Sequence, residues 1–201
     1  MTLSLHPIIL ASGSKIRADI LRRAGVEFTV KTKPVDEGAI KKAMLSEGAA
    51  IRDIADALAE AKSMRVSRSE PGLVIGADQI MEMDGQLFDK PANMDEARAR
   101  LLSMRGKAHR LIGAVVICEN GQPVWRHMSK TVLHVRDFTE DFIDDYLAKE
   151  GEDVLSAVGA YKFEGRGAQL FTNVEGDFFS ILGLSLLPVL DYLRIRGCVK
   201  T

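Results

Sequence analysis

The chain opens with a strand, a turn of small residues and an amphipathic helix, and this order constrains the fold more than any other feature. Residues 7–11 form a short apolar run, and residues 14–24 carry apolar side chains at helical spacing. Ser14 is suited to cap the helix and Gly25 to end it. A buried strand that leads straight into a helix predicts an α/β sheet.

Later segments extend this mixture. We expect a second short strand at residues 26–31, an irregular loop at residues 34–38, a long helix at residues 49–68 and a buried strand at residues 73–77 that Asp78 ends. Further on, we expect a hairpin around Asp84-Gly85, a helix that begins after Asn93, a hairpin around Asn120-Gly121, a helix at residues 140–149, a strand after the glycine-rich residues 159–167, and a last helix at residues 183–196. The predicted fold class is α/β with a mixed sheet flanked by helices, and residues 1–201 form one domain.

Composition and charge exclude several classes of function. The chain has 201 residues, 46% of them hydrophobic and 27% charged, which is typical of a globular domain. Its formal net charge of −1 argues against binding to duplex nucleic acid or to an anionic membrane. The apolar run at residues 184–190 is too short to span a bilayer and no secretory leader is recognisable, so we expect a cytoplasmic protein with two reduced thiols, Cys118 and Cys198.

The turn after the first strand has the residue types of an anion site. Ser12 and Ser14 offer hydroxyl groups, the first turn of the helix exposes unpaired N–H groups, and Arg17 adds a fork-shaped cation. An ordinary serine-capped helix with a surface arginine would have the same residues. The segment alone leaves both interpretations open.

Two carboxylates are candidates for binding a metal. Asp78 follows an apolar strand, at the edge of the sheet where α/β proteins commonly bind ligands, and Glu37 in the earlier loop could supply a second oxygen ligand. Asp78 could equally cap a turn. Spacing alone does not decide between these roles.

Lys62 and Lys90 complete a set of cations with Arg17. The helical pattern puts Lys62 at the border of the buried face, and Lys90 lies in a loop beside Pro91. A triphosphate needs several cations, and usually a metal, for its transition state to be stabilised. Taken singly, each lysine could also be a solvated surface charge.

Other catalytic patterns are weak. His109 is more simply a structural histidine than a general base, and no pair of histidines has zinc-ligand spacing. Gly165-Arg166-Gly167 lacks the third glycine of a dinucleotide-binding fingerprint. The chain also lacks the G-x-S-x-G sequence of a serine hydrolase.

Together, the motifs resemble the Maf family over nearly the whole chain. The matching segments, in chain order, are Leu10-Ala11-Ser12-x-Ser14-x-x-Arg17, Val35-Asp36-Glu37, Ala61-Lys62, Gly76-Ala77-Asp78, Lys90-Pro91, Glu96-Ala97, Gly106-Lys107-x-His109, Gly159-Ala160-Tyr161, Gly165, and Gly176-Asp177 with Gly183-Leu184.

The resemblance implies hydrolysis of a nucleoside triphosphate to a monophosphate and pyrophosphate with Mg²⁺ or Mn²⁺. By position, Asp78 would activate water and, with Glu37, hold the metal; the residues that would bind the phosphates are Ser12, Ser14, Arg17, Lys62 and Lys90. The family's fold is an elongated structure with a twisted mixed sheet and two lobes around a central cleft, and its members commonly form homodimers.

Three positions select the base in this family, and they correspond here to Ile16, Gln79 and Glu164. The thymidine and uridine type has Arg, Thr and Gln, whereas the 7-methylguanine type has Trp, Gln and Glu. Two of the three residues favour the second type, but Ile16 lacks the aromatic face that would stack on a cationic purine. A purine such as 7-methyl-GTP is therefore the expected substrate.

Two rival functions share the same sequence features. The protein could bind nucleotides without turnover and act in cell division and septum formation, or it could be a phosphatase that releases orthophosphate stepwise. Catalysis is favoured by Asp78, Glu37, Lys62 and Lys90, because a pure binding protein needs no carboxylate that activates water.

Overall fold

The computed structural model describes residues 7–200 of the chain. The strands are β1 (Ile8–Leu10), β2 (Thr29–Val30), β3 (Leu73–Met83), β4 (Gln86–Phe88), β5 (Ala108–Glu119), β6 (Gln122–Val135) and β7 (Phe171–Glu175). The α-helices are α1 (Lys15–Arg23), α2 (Glu37–Ser46), α3 (Ile51–Ser67), α4 (Met94–Met104), α5 (Glu140–Glu150), α6 (Phe178–Ile181) and α7 (Leu186–Ile195). Two short 3₁₀ helices lie at Gly151–Ser156 and Arg166–Leu170. In residues 7–200 no helix is both long enough and apolar enough to cross a membrane.

The seven strands form one mixed sheet, which confirms the predicted α/β class. The strand order is β2-β1-β3-β5-β6-β7, and β4 pairs with β3. Strand β1 is parallel to both β2 and β3, whereas the β3–β4 and β6–β7 pairs are antiparallel. Parallel and antiparallel pairs thus occur in the same sheet, as the mixture of βαβ segments and hairpins predicts.

The chain divides into two compact units. The first comprises residues up to 79, residues 113–129 and residues from 178 onward; the second comprises residues 80–112 and 130–177. Strands β3, β5 and β6 each contribute residues to both units.

In the first unit, β1 and β3 alternate their side chains between two faces. Ile8, Leu10, Leu73 and Ile75 belong to a core cluster that also includes side chains of α1 and α7. On the other face, Ile9, Ala11 and Val74 cluster with Val66 of α3. Because strand side chains alternate with a period of two, Gly76 and Asp78 lie on the same face as Val74, next to α3.

Gly76 permits the close packing of β3 on α3. A Cβ atom at this position would lie 2.2 Å from the carbonyl oxygen of Ala59 and 2.8 Å from the amide nitrogen of Ser63. Any side chain would therefore push the helix away from the strand. The absence of a side chain here brings the C-terminal half of α3, which carries Lys62, close to the strand that carries Asp78.

Two local expectations are wrong. Residues 34–38 are not an irregular loop throughout, because Asp36 caps a helix that begins at Glu37: its side chain accepts a hydrogen bond from Ala39 N at 2.9 Å. Asp78 does not end a strand either, since β3 continues to Met83. A charged residue can lie within this buried strand because it has an ion-pair partner on α3.

Both predicted hairpin turns and the capped helix are confirmed. Asp84 and Gly85 have φ values of 54° and 79°, and Asn120 and Gly121 have 53° and 75°, so each pair adopts the left-handed conformation of a tight hairpin turn. Asn93 caps α4 by accepting from Glu96 N at 2.9 Å.

Candidate functional site

The candidate site in the first unit is built around the turn between β1 and α1. Ser14 caps α1, as predicted, and its hydroxyl accepts from Arg17 N at 3.5 Å. Ser12 is buried, and its hydroxyl accepts from Ser14 N at 3.3 Å. The two serines therefore fix the backbone at the N-terminus of a helix, where anions are bound most favourably.

Arg17 holds three parts of the first unit together. Its Nη1 donates to Ser12 Oγ at 3.1 Å and to the Ala77 carbonyl at 2.8 Å, and its Nε donates to the Gly183 carbonyl at 2.8 Å. Ala77 directly precedes Asp78, so the guanidinium group fixes the backbone from which the Asp78 side chain extends. Arg17 therefore has a structural role and is not simply a surface cation.

The Gly183 contact was not foreseen from the sequence. Gly183 has φ of +93°, and a Cβ atom there would lie 3.2 Å from Arg17 Nε and 3.3 Å from Nη2. A glycine is needed both for this backbone conformation and for the close approach of the guanidinium group. The Gly183-Leu184 pair is the only sequence signal that could have indicated the contact.

Glu37 and Asp78 converge on one ammonium group. Lys62 Nζ lies 2.7 Å from Asp78 Oδ1 and 3.0 Å from Glu37 Oε2. The Lys62 side chain is 16% exposed and that of Asp78 10%, whereas Glu37 is 44% exposed. Two carboxylates that are far apart in the sequence therefore pair with the same lysine in the first unit.

The charges of this cluster act on one another. Burial lowers the pKa of Arg17, while the negative charges of Asp78 and Glu37 act to raise it. Two carboxylates, one ammonium and one guanidinium group thus share a small region of the first unit.

The two carboxylates are a suitable but incomplete set of metal ligands. Within residues 7–200, no group of three or more His, Cys, Asp or Glu side chains is arranged to hold a metal ion. Mg²⁺ commonly uses one or two carboxylates and takes its other ligands from phosphate oxygens and water. Glu37 and Asp78, which already enclose one cation, fit that pattern.

Ile16 and Gln79, two of the three positions expected to select the base, are the sequence neighbours of Arg17 and Asp78. Ile16 packs against the core cluster of α1 and α7, as its position on the apolar face of α1 predicts. Gln79 is tied to the backbone that precedes Gly183: its Nε2 donates to the carbonyls of Ser180 at 2.7 Å and of Ile181 at 3.3 Å. With the amide nitrogen engaged, the amide oxygen is the group that Gln79 can offer to a ligand.

Lys90 and Glu164 belong to the second unit. Both are exposed. Lys90 follows Asp89, whose carbonyl accepts a hydrogen bond from the buried Arg100, and the Arg100 guanidinium also donates to the Val158 carbonyl at 2.6 Å. Glu164 lies in a turn closed by a hydrogen bond from Gly165 N to Lys162 O at 3.2 Å.

His109 fits the simpler interpretation of a structural histidine. It is buried in the second unit, where its Nε2 lies 2.7 Å from Tyr161 Oη and its ring contacts Tyr161 and Phe171. Burial lowers the pKa of His109 to about 4, so the ring is neutral at physiological pH.

Comparison with known proteins assigns the chain to a family. The sequence model of a family described as "Maf-like protein" matches residues 7–195. The chain belongs to the Maf-like family. This match covers every element from β1 to α7, and with it each residue of the cluster around Lys62.

Several curated proteins are similar to this chain over almost their full lengths. A protein of Caulobacter vibrioides is 49% identical over 98% of this chain and 99% of its own length. A protein of Hyphomonas neptunium is 50% identical over 96% and 98%, and one of Paramagnetospirillum magneticum is 51% identical over 94% and 98%. Each of the three is named nucleoside triphosphate pyrophosphatase.

Proposed function

We propose that this chain is a nucleoside triphosphate pyrophosphatase, which hydrolyses its substrate between the α and β phosphates to a nucleoside monophosphate and pyrophosphate. The observation that carries the proposal is the meeting of Glu37, Lys62 and Asp78 on one side of β3. The names of relatives about half identical to this chain support the same activity.

The reaction needs a water molecule to attack phosphorus in line with the bond that breaks. In the proposed mechanism Asp78 accepts the proton of that water, because its carboxylate is largely buried and directed away from the core cluster towards Lys62. The bond between the α and β phosphates breaks, and the leaving pyrophosphate takes the electron pair. Lys62 and Arg17 stabilise the negative charge that develops on it.

A divalent cation completes the proposed site. Glu37 and Asp78 would hold Mg²⁺ or Mn²⁺, and the ion would neutralise charge on the phosphate oxygens when bound. Ser12 and Ser14 are proposed to bind phosphate through their hydroxyl groups, which accept from Ser14 N and Arg17 N and can donate their own protons to phosphate oxygens. Lys90 is proposed to add a further cation for the phosphates.

For the base, we propose guanine nucleotides, including 7-methyl-GTP, in a role that removes modified nucleotides. Gln79 has its amide nitrogen engaged by two carbonyl groups and can offer its oxygen as an acceptor, and Glu164 is an exposed acceptor in the second unit. Guanine presents adjacent N–H donors on its pairing edge, and each of these acceptors is suited to bind such a donor. Ile16 supplies no aromatic ring to stack on the base. The affinities for methylated and unmethylated guanine nucleotides should therefore differ less than they would with an aromatic residue at this position.

Product analysis tests the proposal. Purified protein is incubated with normal and modified triphosphates and with Mg²⁺ or Mn²⁺, and the products are separated by chromatography. Pyrophosphate with monophosphate is expected. Stepwise orthophosphate would mean a phosphatase, and binding without any product would mean a nucleotide-binding protein; a clear preference for thymidine or uridine triphosphate would refute the choice of base.

We further propose that the chain forms a homodimer, as the resemblance to the family implies. The helix α7 exposes Leu187 and Ile195, and apolar side chains of this size are suited to a protein contact. Light scattering on the purified protein at micromolar concentration checks the mass.

A further inference from the structure

The ammonium group of Lys62 occupies the space between the two carboxylates proposed to hold a divalent cation. Its distances of 2.7 Å to Asp78 and 3.0 Å to Glu37 are those of direct, charge-assisted hydrogen bonds. We propose that Lys62 is an internal substitute for the metal, so that a divalent cation binds well only when a triphosphate draws Lys62 away. This inference rests on the proposed function of the carboxylate pair.

Burial strengthens the attraction between Lys62 and the carboxylates. The side chains of Lys62 and Asp78 are 16% and 10% exposed, so water screens their attraction less than it would on an open surface. Arg17 adds a second positive charge that interacts with both carboxylates. A metal ion arriving alone therefore meets two carboxylates whose charge is already balanced by two cations.

The lysine side chain is suited to exchange between partners. Its ammonium group is a point charge on a flexible four-carbon stem, unlike the planar and directional guanidinium group of Arg17. If a metal alone displaced Lys62, the ammonium would lose both carboxylates and gain no anion. A triphosphate supplies that anion. It draws Lys62 away from the carboxylates and so frees them for the metal, and a metal at the carboxylates frees Lys62 for the triphosphate.

The consequence is cooperative binding with a defined sign. By linkage, a triphosphate that raises the affinity for the metal has its own affinity raised by the metal to the same extent. The coupling that arises from Lys62 is a property of this protein, and it adds to the chelation of the metal by the nucleotide in solution.

Mn²⁺ binding without nucleotide tests the inference, with the electron paramagnetic resonance signal of free Mn²⁺ as the readout. Lys62→Met is expected to bind Mn²⁺ at least about tenfold more tightly than the wild type, because one neighbouring positive charge is removed. Lys62→Arg keeps the charge and should bind as weakly as the wild type. Asp78→Asn in the Lys62→Met background should abolish the gain, which locates the ion at the carboxylates.

Lys31→Met is the matched control. Lys31 is another lysine of the first unit that pairs with a carboxylate, at 2.6 Å from Glu70. Removing it should leave Mn²⁺ affinity unchanged. Circular dichroism checks that each variant is folded, and Lys62→Gln replaces Lys62→Met should the latter fail to fold.

A second measurement follows the coupling itself. The affinity for a non-hydrolysable α,β-methylene triphosphate is measured by calorimetry with EDTA and with saturating Mn²⁺. Chelation of Mn²⁺ by the analogue in solution is the same whether the wild type or Lys62→Met is titrated. If Mn²⁺ raises the affinity for the analogue less in Lys62→Met than in the wild type, the inference is supported.

Equal Mn²⁺ affinity in the wild type and in folded Lys62→Met or Lys62→Gln would overturn the inference, as would a gain that persists with Asp78→Asn. The pyrophosphatase activity is judged separately, from product release by the wild type. Absence of that activity would refute the proposed function, whereas the Mn²⁺ titration would still decide whether Lys62 competes with a cation.

Discussion

Arg17 donates to the carbonyl of Ala77, the residue that directly precedes Asp78, across 60 positions of the sequence. The same guanidinium group binds Ser12 Oγ and the Gly183 carbonyl. One side chain therefore sets the position of the β1–α1 turn, of the middle of β3 and of the segment before α7. The geometry around Asp78 depends on this arginine even before any ligand binds.

Arg17→Lys is expected to lower the free energy of unfolding by about 2 kcal/mol, because a lysine cannot satisfy three separated acceptors and leaves at least one of them without a partner. Urea denaturation measures the change. The control is Arg22→Lys on the same helix, whose side chain is 64% exposed; this exchange should cost less than about 0.5 kcal/mol. Equal effects of the two substitutions would contradict the structural role of Arg17.

Asp78→Asn is expected to reduce kcat by about 10³-fold or more, because the amide neither accepts the proton of water nor carries charge for a metal. Binding of a non-hydrolysable triphosphate should be largely retained, since the cations remain in place. Glu82→Gln is the control, being another buried carboxylate on β3 with its own basic partner, Arg110 at 2.8 Å. Retained turnover in Asp78→Asn would refute the proposed role of the aspartate.

Gly76→Ala is expected to destabilise the protein by about 3 kcal/mol, because the added Cβ overlaps the backbone of α3. Activity of the folded fraction should fall as well, since Lys62 moves with the helix. Gly13→Ala provides the contrast: a Cβ there meets nothing within 4 Å, so the melting temperature should stay within a few degrees of the wild type. A similar melting temperature for Gly76→Ala would show that the strand and the helix are not in tight contact.

The stability of the protein should decrease as the pH falls from about 6.5 towards 4. His109 has its pKa lowered to about 4 by burial, whereas in the unfolded chain the ordinary value is about 6.5. Between these values the unfolded state binds a proton that the folded state excludes, and this costs about 1.4 kcal/mol per pH unit. Above pH 6.5 the ring is neutral in both states and contributes no pH dependence.

His109→Gln tests this assignment, because glutamine can still hydrogen-bond to Tyr161 but does not titrate. Urea midpoints are measured at pH 7.5 and pH 5.0 for both proteins. The loss of stability at the lower pH should be smaller in the variant by about 2 kcal/mol. An identical loss in the variant would assign the acid sensitivity to other groups.

Much of the fold could be predicted because its signals are local. The relevant residues stabilise backbone within a few positions of their own: the helix caps Ser14 and Asn93, and the turn pairs Asp84-Gly85 and Asn120-Gly121. The failure at residues 34–38 has a physical reason: α2 has no buried residue, so it lacks the apolar stripe by which a helix is recognised. The sequence therefore predicts a loop around Asp36, whereas the structure shows this residue as the cap of that helix.

The site was predictable in its residue types but not in its contacts. Charge and motif indicated Glu37, Lys62 and Asp78, yet a sequence does not reveal that an ammonium group lies between the two carboxylates. The partners of Arg17 are two main-chain carbonyls and one hydroxyl, and a main-chain carbonyl has no residue-specific signal. The same holds for the bonds from Gln79 to the carbonyls of Ser180 and Ile181.

The two carboxylates of the site differ in how firmly they are mounted. Asp78 extends from the buried strand β3, whereas Glu37 is the first residue of α2, a helix without a single buried side chain. If the two carboxylates hold a metal as proposed, a small displacement of α2 would accommodate ions of different radius, while Asp78 stays fixed on the sheet. We therefore expect the proposed site to accept both Mg²⁺ and Mn²⁺.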